Sequence, residues 1–148
     1  MEKTRTMKTL PTWIAAMALC AVTAGAAAHD HDHDHGGGAP AELALDNGKK
    51  WPTDAALRQG MARIRAAVAQ GAPLAPAQVA AQVNGQIAYL VNNCKLDQKT
   101  DAMFHLVLAD LIAGADILDK RPAAREEGMA RINKALRDYA GHFEHPGW

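Results

Sequence analysis

Four histidines alternate with three aspartates in the sequence HDHDHDH, which three glycines follow. In an extended chain, residues two apart point the same way, so the histidines form one row and the aspartates the other. Neutral imidazoles bind zinc, nickel and copper, and the neighbouring carboxylates attract cations and accept hydrogen bonds from ligating rings. The run therefore predicts metal binding by His29, His31, His33 and His35. A polar spacer or a pH-responsive tail is the alternative interpretation.

A second set of potential metal ligands is spread along the rest of the chain. It consists of one thioether, one thiol and three imidazoles: Met61, Cys94, His105, His142 and His145. Asp101 lies four residues before His105, so on a helix its carboxylate could orient that imidazole. In an exported protein, sulfur and imidazole ligands indicate copper first and zinc second.

Each of these residues also has a purely structural interpretation. Met61 and Cys94 fall on apolar helical stripes, where free cysteines are often buried. His105 flanks another stripe, where a hydrogen-bonded core histidine is the alternative to a ligand. His142 and His145 lie near a helix C-terminus, which favours a cation. No pair has the spacing of a recognised zinc motif, so the sequence leaves ligation and packing both open.

The first 28 residues have the features of a cleaved export signal. Lys3, Arg5 and Lys8 precede the apolar run WIAAMALCAVTAG, which is too short to span a membrane. We expect export to a bacterial periplasm, with cleavage after Ala26, Ala27 or Ala28. Cleavage after Ala28 would start the mature chain with His-Asp-His. A free amine, two backbone nitrogens and an imidazole then form a square-planar set suited to Cu(II) or Ni(II).

Composition limits the classes of function. Without residues 1–28 the 148-residue chain keeps 120 residues, 13 of them basic and 15 acidic, which is enough for one small domain. The formal charge of −2 argues against a nucleic-acid partner. Cys94 is then the only thiol, and it must be buried, paired between chains or a metal ligand. No nucleophile–base pair, catalytic carboxylate pair or phosphate loop is recognisable, so we do not expect an enzyme.

Hydropathy divides the mature chain into two parts. Residues 29–50 predict a disordered arm, and residues 51–148 predict four helices with apolar residues spaced three and four apart. The predicted helices run from an N-cap at Thr53 to Gly71, from near Pro76 through Cys94, from about 97–101 to 119, and from Pro122 through Phe143. The connecting loops are short and force antiparallel neighbours. The predicted fold class is therefore all-α, an up-down-up-down four-helix bundle with a histidine-rich arm.

This topology predicts that one end of the bundle holds the chemistry. Met61, Cys94, Asp101 and the three histidines of the helical part all fall in the half of the bundle where the first helix begins. The aromatic residues of the mature chain fall there too: Trp51, Tyr89, Phe104, Tyr139, Phe143 and Trp148. We call this half the aromatic end. The arm enters the bundle there, so it would capture metal that the internal ligands then hold.

Two resemblances can be stated. A methionine in the first helix, Met61, and a histidine late in the last, His142 in RDYAGH, resemble cytochrome b562-type bundles, which implies these two as ligands of haem b. The absence of a C-x-x-C-H motif excludes covalent haem attachment. The segments NGQIAYLVNNCKLDQKTDAMFHLVLADLIAGAD and HFEHPGW resemble small exported proteins described as DnrO-like. That family implies no established activity, and its label suggests a transcription regulator, which an exported, non-basic bundle contradicts.

The sequence therefore predicts a periplasmic metal-binding protein for metal buffering, delivery or resistance, with copper first and zinc or nickel as alternatives. A haem b electron carrier is the second hypothesis. The third is a structural bundle that binds a protein partner, or a second copy of itself, through the aromatic end. We expect no nucleic acid and no membrane insertion after signal cleavage.

Overall fold

The structure is a computed structural model of the chain and describes residues 42–70 and 74–148. The predicted signal, the four histidines of the arm and the predicted helix end at Gly71 lie outside these residues. Within them the protein is all-helical. The four helices are α1 (Ala55–Ala69), α2 (Pro76–Asn93), α3 (Gln98–Lys120) and α4 (Arg125–His142). The described residues contain no strand, only two isolated bridges, so the all-α, four-helix bundle-like class is confirmed.

Side-chain caps explain where two of the helices begin. Asp54 caps α1 by accepting a 2.6 Å hydrogen bond from the Leu57 amide. The prediction of Thr53 as the cap is wrong, because the Thr53 hydroxyl donates instead to the Glu144 carbonyl. Asp97 caps α3 and accepts hydrogen bonds from the Lys99 and Thr100 amides. These caps fix the first turns, which carry the polar residues discussed below.

Three predicted helix limits are corrected. Cys94 and Phe143 have extended backbones directly after α2 and α4, so neither lies inside a helix. Each still donates its amide to the carbonyl four residues earlier. Pro122 belongs to a short 3-10 turn, Pro122–Ala124, and α4 begins only at Arg125. Apolar spacing continued past the helix ends because the next residues are also packed against the core.

The hydrophobic core receives side chains from all four helices. Its largest fully buried members include Leu57 and Met61 of α1, Leu90 of α2, Leu111 of α3 and Tyr139 of α4. Helices α3 and α4 lie close together where Gly114 of α3 faces Gly128 of α4. A Cβ atom on Gly128 would lie 3.0 Å from the Gly114 carbonyl oxygen, which is too close for an unstrained contact.

Residues 42–50, which the sequence assigned to the disordered arm, form a packed turn. Asp46 and Lys49 exchange backbone hydrogen bonds of 2.8 and 2.9 Å. Leu43 packs against the hydrophobic core, and the Trp51 indole nitrogen donates a 2.6 Å hydrogen bond to the Ala44 carbonyl. The predicted boundary between arm and bundle at residue 51 is therefore too late in the chain.

Among residues 42–70 and 74–148, none of the helices combines the length and the apolar character that crossing a membrane requires.

Candidate functional site

An aromatic cluster forms where the segment before α1 meets α3 and the end of α4. Trp51 and Phe143 form a backbone bridge, in which the Trp51 amide donates to the His142 carbonyl at 2.7 Å. The Phe143 ring packs edge-on against Phe104 and is stacked on Tyr139, with centroid separations of 5.9 and 5.3 Å. Most of the aromatic residues predicted for one end of the bundle are thus in mutual contact.

Tyr89 is the exception, and the cluster is not a surface. The Tyr89 hydroxyl donates to Gln59, away from the cluster. Trp51, Phe104, Tyr139 and Phe143 are all buried, so these rings form core and not an exposed patch. A partner or a second copy at this end would have to contact mainly the half-buried Trp148 and the polar residues around it.

His145 belongs to the packing of the C-terminal segment. Its Nδ1 lies 2.9 Å from the Tyr139 hydroxyl, and its ring lies 4.9 Å from that of Trp148. Burial, followed by the charges of Arg58 and Arg65, lowers the pKa of His145 below its ordinary value, so the ring is favoured in its neutral form. Burial also raises the pKa of Tyr139, whose hydroxyl stays protonated. His145 is therefore engaged within the protein through Nδ1.

A pocket of about 250 Å³ between α2 and α3 collects the strongest candidate ligands. Cys94 follows the last turn of α2, and Asp101 and His105 lie on the first turns of α3. The apolar walls of this pocket are Leu90, Val91, Phe104 and Leu108. The amino-acid sequence alone did not predict that these residues line a pocket. Val91 was the available signal, because it interrupts the polar face of α2 and is 67% exposed.

Two contacts from Asp101 fix the orientation of His105. The His105 Nδ1 lies 2.9 Å from the Asp101 backbone carbonyl and 3.4 Å from its carboxylate. Both partners are acceptors, so Nδ1 carries the proton and Nε2 has the free lone pair that a metal requires. The alternative of a core histidine is wrong, since the His105 side chain is 62% exposed.

Cys94 is half-buried, and its environment favours the thiol over the thiolate. Burial, followed by the charges of Asp54 and Asp101, raises the pKa of Cys94 to about 11. At neutral pH the metal-free side chain is thus a neutral thiol. Any metal that binds Cys94 must displace that proton.

The remaining predicted ligands do not line this pocket. Met61 is fully buried in the core, and the His142 Nδ1 lies 2.8 Å from the Asp138 carbonyl on α4. In the part of the chain that the structure describes, no three or more His, Cys, Asp or Glu side chains form a group able to hold a metal ion. His29, His31, His33 and His35 lie outside the described residues.

The haem alternative stays a prediction, and the two residues that it names have different surroundings in the structure. Axial ligation by Met61 would require the core around this wholly enclosed thioether to open. His142 is only half-buried, and its Nδ1 bonds within its own helix. Neither Met61 nor His142 lines the pocket between α2 and α3.

The chain was compared with known proteins. No family model matches it. No curated protein and no solved structure matches it either. The two resemblances noted from the sequence therefore stay predictions.

Proposed function

We propose that the protein is a periplasmic metal-binding protein that buffers, delivers or sequesters metal, with copper as its principal ion and zinc or nickel as alternatives. The observation that carries the proposal is the pocket between α2 and α3. The Cys94 thiol and the His105 imidazole both line this pocket beside apolar side chains, and the contacts of the His105 Nδ1 with Asp101 leave Nε2 available.

The proposal includes an up-down-up-down antiparallel arrangement of the helices. Three contacts support it. The Asp54 carboxylate at the start of α1 accepts a hydrogen bond from the Lys95 amide after α2. Trp51, just before α1, is bridged to Phe143 after α4. Gly114 in the second half of α3 contacts Gly128 early in α4.

Metal would bind in the pocket through the Cys94 sulfur and the His105 Nε2. Soft sulfur and imidazole ligands suit Cu(I), and the apolar walls limit access of water to the ion. Asp101 acts from behind His105 by holding the ring. Two protein ligands satisfy a cuprous ion, whereas zinc prefers four.

The proposal assigns the capture of metal to the arm. Its imidazoles and alternating aspartates suit the collection of divalent cations from solution. The proposal thus assigns collection of metal to His29, His31, His33 and His35, and its retention to Cys94 and His105.

Metal loading of the mature protein tests the proposal. The protein is equilibrated with Cu(I) or Cu(II), desalted and analysed for bound metal beside variants that lack residues 29–38 or carry Cys94→Ala with His105→Gln. We expect the arm deletion to lose part of the metal and the double substitution to lose the ion held most tightly. The variant His142→Gln is the matched control, since His142 makes the same type of backbone contact outside the pocket. No excess of metal over a metal-free control would contradict the proposal.

The location is part of the proposal and has its own measurement. Cell fractionation should place the protein in the periplasm, and mass spectrometry of that fraction should give an N-terminus between residues 27 and 29. Recovery of the full-length chain in the cytoplasm would contradict the periplasmic assignment.

A further inference from the structure

The side of the bundle that holds the Cys94–His105 pocket carries few charges. Helix α2 has no charged side chain along its 18 residues. In α3, residues 102–109 contain a single ionisable side chain, that of His105. Helix α4, by contrast, carries seven acidic or basic residues over a similar length. A protein partner at the pocket would therefore meet a surface that is close to neutral.

Two large apolar side chains are exposed on the same side. Val91 lines the pocket together with His105 and is 67% exposed. Ile112 is 48% exposed and lies one helical turn beyond Leu108, so it continues the side of α3 that faces the pocket. We call the surface around Val91, His105, Leu108 and Ile112 the α2–α3 face. Exposed apolar residues on a surface with few charges are typical of a protein contact.

One copy of the chain offers zinc an incomplete set of ligands at this face. The pocket supplies one thiol and one imidazole, those of Cys94 and His105. Among the residues that the structure describes, no group of three or more His, Cys, Asp or Glu side chains could hold a metal ion. Zinc in structural sites almost always has four protein ligands. The His105 side chain is 62% exposed, so a second molecule can approach it from outside.

We propose that zinc binds between two copies of this chain, which associate through their α2–α3 faces and each contribute Cys94 and His105 as ligands. Zinc bridging rests on the proposed metal-binding function and names its partner, a second copy of the chain. A twofold axis through the ion repeats the same two ligands and completes a set of four. A second copy suits this face because nearly neutral surfaces meet without like-charge repulsion, and the contact covers Val91 and Ile112.

Asp101 makes the association depend on zinc. Its carboxylate also lines the pocket, so the pair brings two carboxylates to the contact. These like charges oppose association until a divalent cation lies between them. Cu(I) carries a single charge and is satisfied by the two ligands of one copy, so it should leave the protein monomeric.

Native mass spectrometry and sedimentation velocity of the mature protein, kept reduced, test the zinc-linked pair. We expect a monomer without metal, a dimer after addition of zinc and a monomer with Cu(I). A variant that lacks residues 29–38 should still dimerise and should hold one zinc ion per two chains, because the histidines of the arm are then absent. Excess chelator should return the dimer to monomer.

Three outcomes would overturn the pair. They are zinc held tightly by single chains, a dimer that forms without zinc, and a zinc dimer that is lost with residues 29–38. Each of these leaves the proposed metal-binding function in place. Failure of both zinc and Cu(I) to bind would overturn the proposed function as well.

Substitutions test the face separately from the ligands. Ile112→Lys places a positive charge on each copy at the contact, so it should weaken the zinc dimer at least about tenfold and leave the affinity for Cu(I) unchanged. Leu45→Lys is the matched control, since Leu45 is an exposed apolar residue in the turn before α1, and it should leave the dimer intact. Cys94→Ala with His105→Gln should abolish the dimer. Equal weakening by Ile112→Lys and Leu45→Lys, or a zinc dimer that survives loss of both ligands, contradicts the proposal.

Discussion

The backbone carbonyl of Asp101, more than its carboxylate, determines how His105 can act. The ring nitrogen Nδ1 lies 2.9 Å from the carbonyl but 3.4 Å from the nearer carboxylate oxygen. A backbone acceptor four residues earlier in a helix survives any side-chain substitution at that position. The orientation of the imidazole is therefore built into the first turns of α3.

We predict different losses for substitutions at these two positions. His105→Gln should lower the affinity for Cu(I) by about 100-fold or more, because it removes a ligand. Asp101→Asn should lower it by at most about tenfold, since the carbonyl still holds the ring. Competition against bicinchoninate measures both affinities, with His142→Gln as the control. Equal losses for His105→Gln and His142→Gln would contradict the assignment of His105 as the pocket ligand.

The pKa of Cys94 predicts how metal affinity depends on pH. Burial with nearby Asp54 and Asp101 raises that pKa from 9.0 to about 11, so the thiol stays protonated through neutral pH. Binding must release this proton, and the affinity for Cu(I) should rise about tenfold per pH unit between about pH 7 and 9. The same competition assay, repeated in Cys94→Ala, should show a smaller slope. An identical slope in both proteins would exclude the Cys94 sulfur as a ligand.

Helix caps and helix contacts explain what the sequence could and could not predict. The four apolar stripes identified the helices because burial of one face imposes a period of 3.6 residues. Thr53 and Asp54 are both good capping residues and are neighbours in the sequence. The sequence alone therefore could not show that Asp54 is the cap of α1. The sequence placed Cys94, His105, Met61, His142 and His145 in the same half of the bundle. It could not show which of these side chains point into the same space. Of these five residues, Cys94 and His105 line the pocket between α2 and α3, and the other three do not.

The cap of α3 predicts a loss of stability in acid. Hydrogen bonds from the Thr100 side chain and amide, with others from nearby amides, lower the pKa of Asp97 below its ordinary 3.8. A depressed carboxyl pKa contributes stability above about 3.8, which is lost as the pH falls through the folded-state value. Asp97→Asn keeps a capping oxygen but should flatten this part of the pH dependence. Thermal melts of both proteins between pH 2 and 5 measure this dependence. If the melting temperature falls equally with pH in both proteins, ionised Asp97 does not stabilise the fold.

Alanine substitutions at two glycines with different surroundings should change the free energy of unfolding in opposite directions. In Gly128→Ala, the new Cβ atom would meet Leu118 at 2.7 Å and the Gly114 carbonyl at 3.0 Å, so the α3–α4 contact must open. Overpacking of this kind costs about 1–3 kcal/mol. In Gly85→Ala nothing lies within 4 Å, and helix propensity should add about 0.5–1 kcal/mol. Urea denaturation measures both, and a stabilised Gly128→Ala would contradict the close approach of the helices.

The whole molecule combines a packed helical core with a pocket at its edge that holds the two proposed ligands. The core is closed by aromatic residues that tie the segment before α1 to the segment after α4. Cys94 and His105 line a pocket beside this core, next to apolar side chains. The histidine-rich arm was recognisable from the sequence because its spacing is local. The walls of the pocket were not, since Leu90, Phe104 and Leu108 come together only through packing between α2 and α3.

The X-ray absorption spectrum of the Cu(I)-loaded mature protein tests the central claim most directly. The Cys94–His105 pocket predicts one sulfur scatterer together with imidazole nitrogen in the first coordination shell. The sulfur contribution should disappear in Cys94→Ala, and the imidazole contribution should fall in His105→Gln. A spectrum with nitrogen and oxygen ligands alone, unchanged by Cys94→Ala, would show that the pocket does not hold the metal.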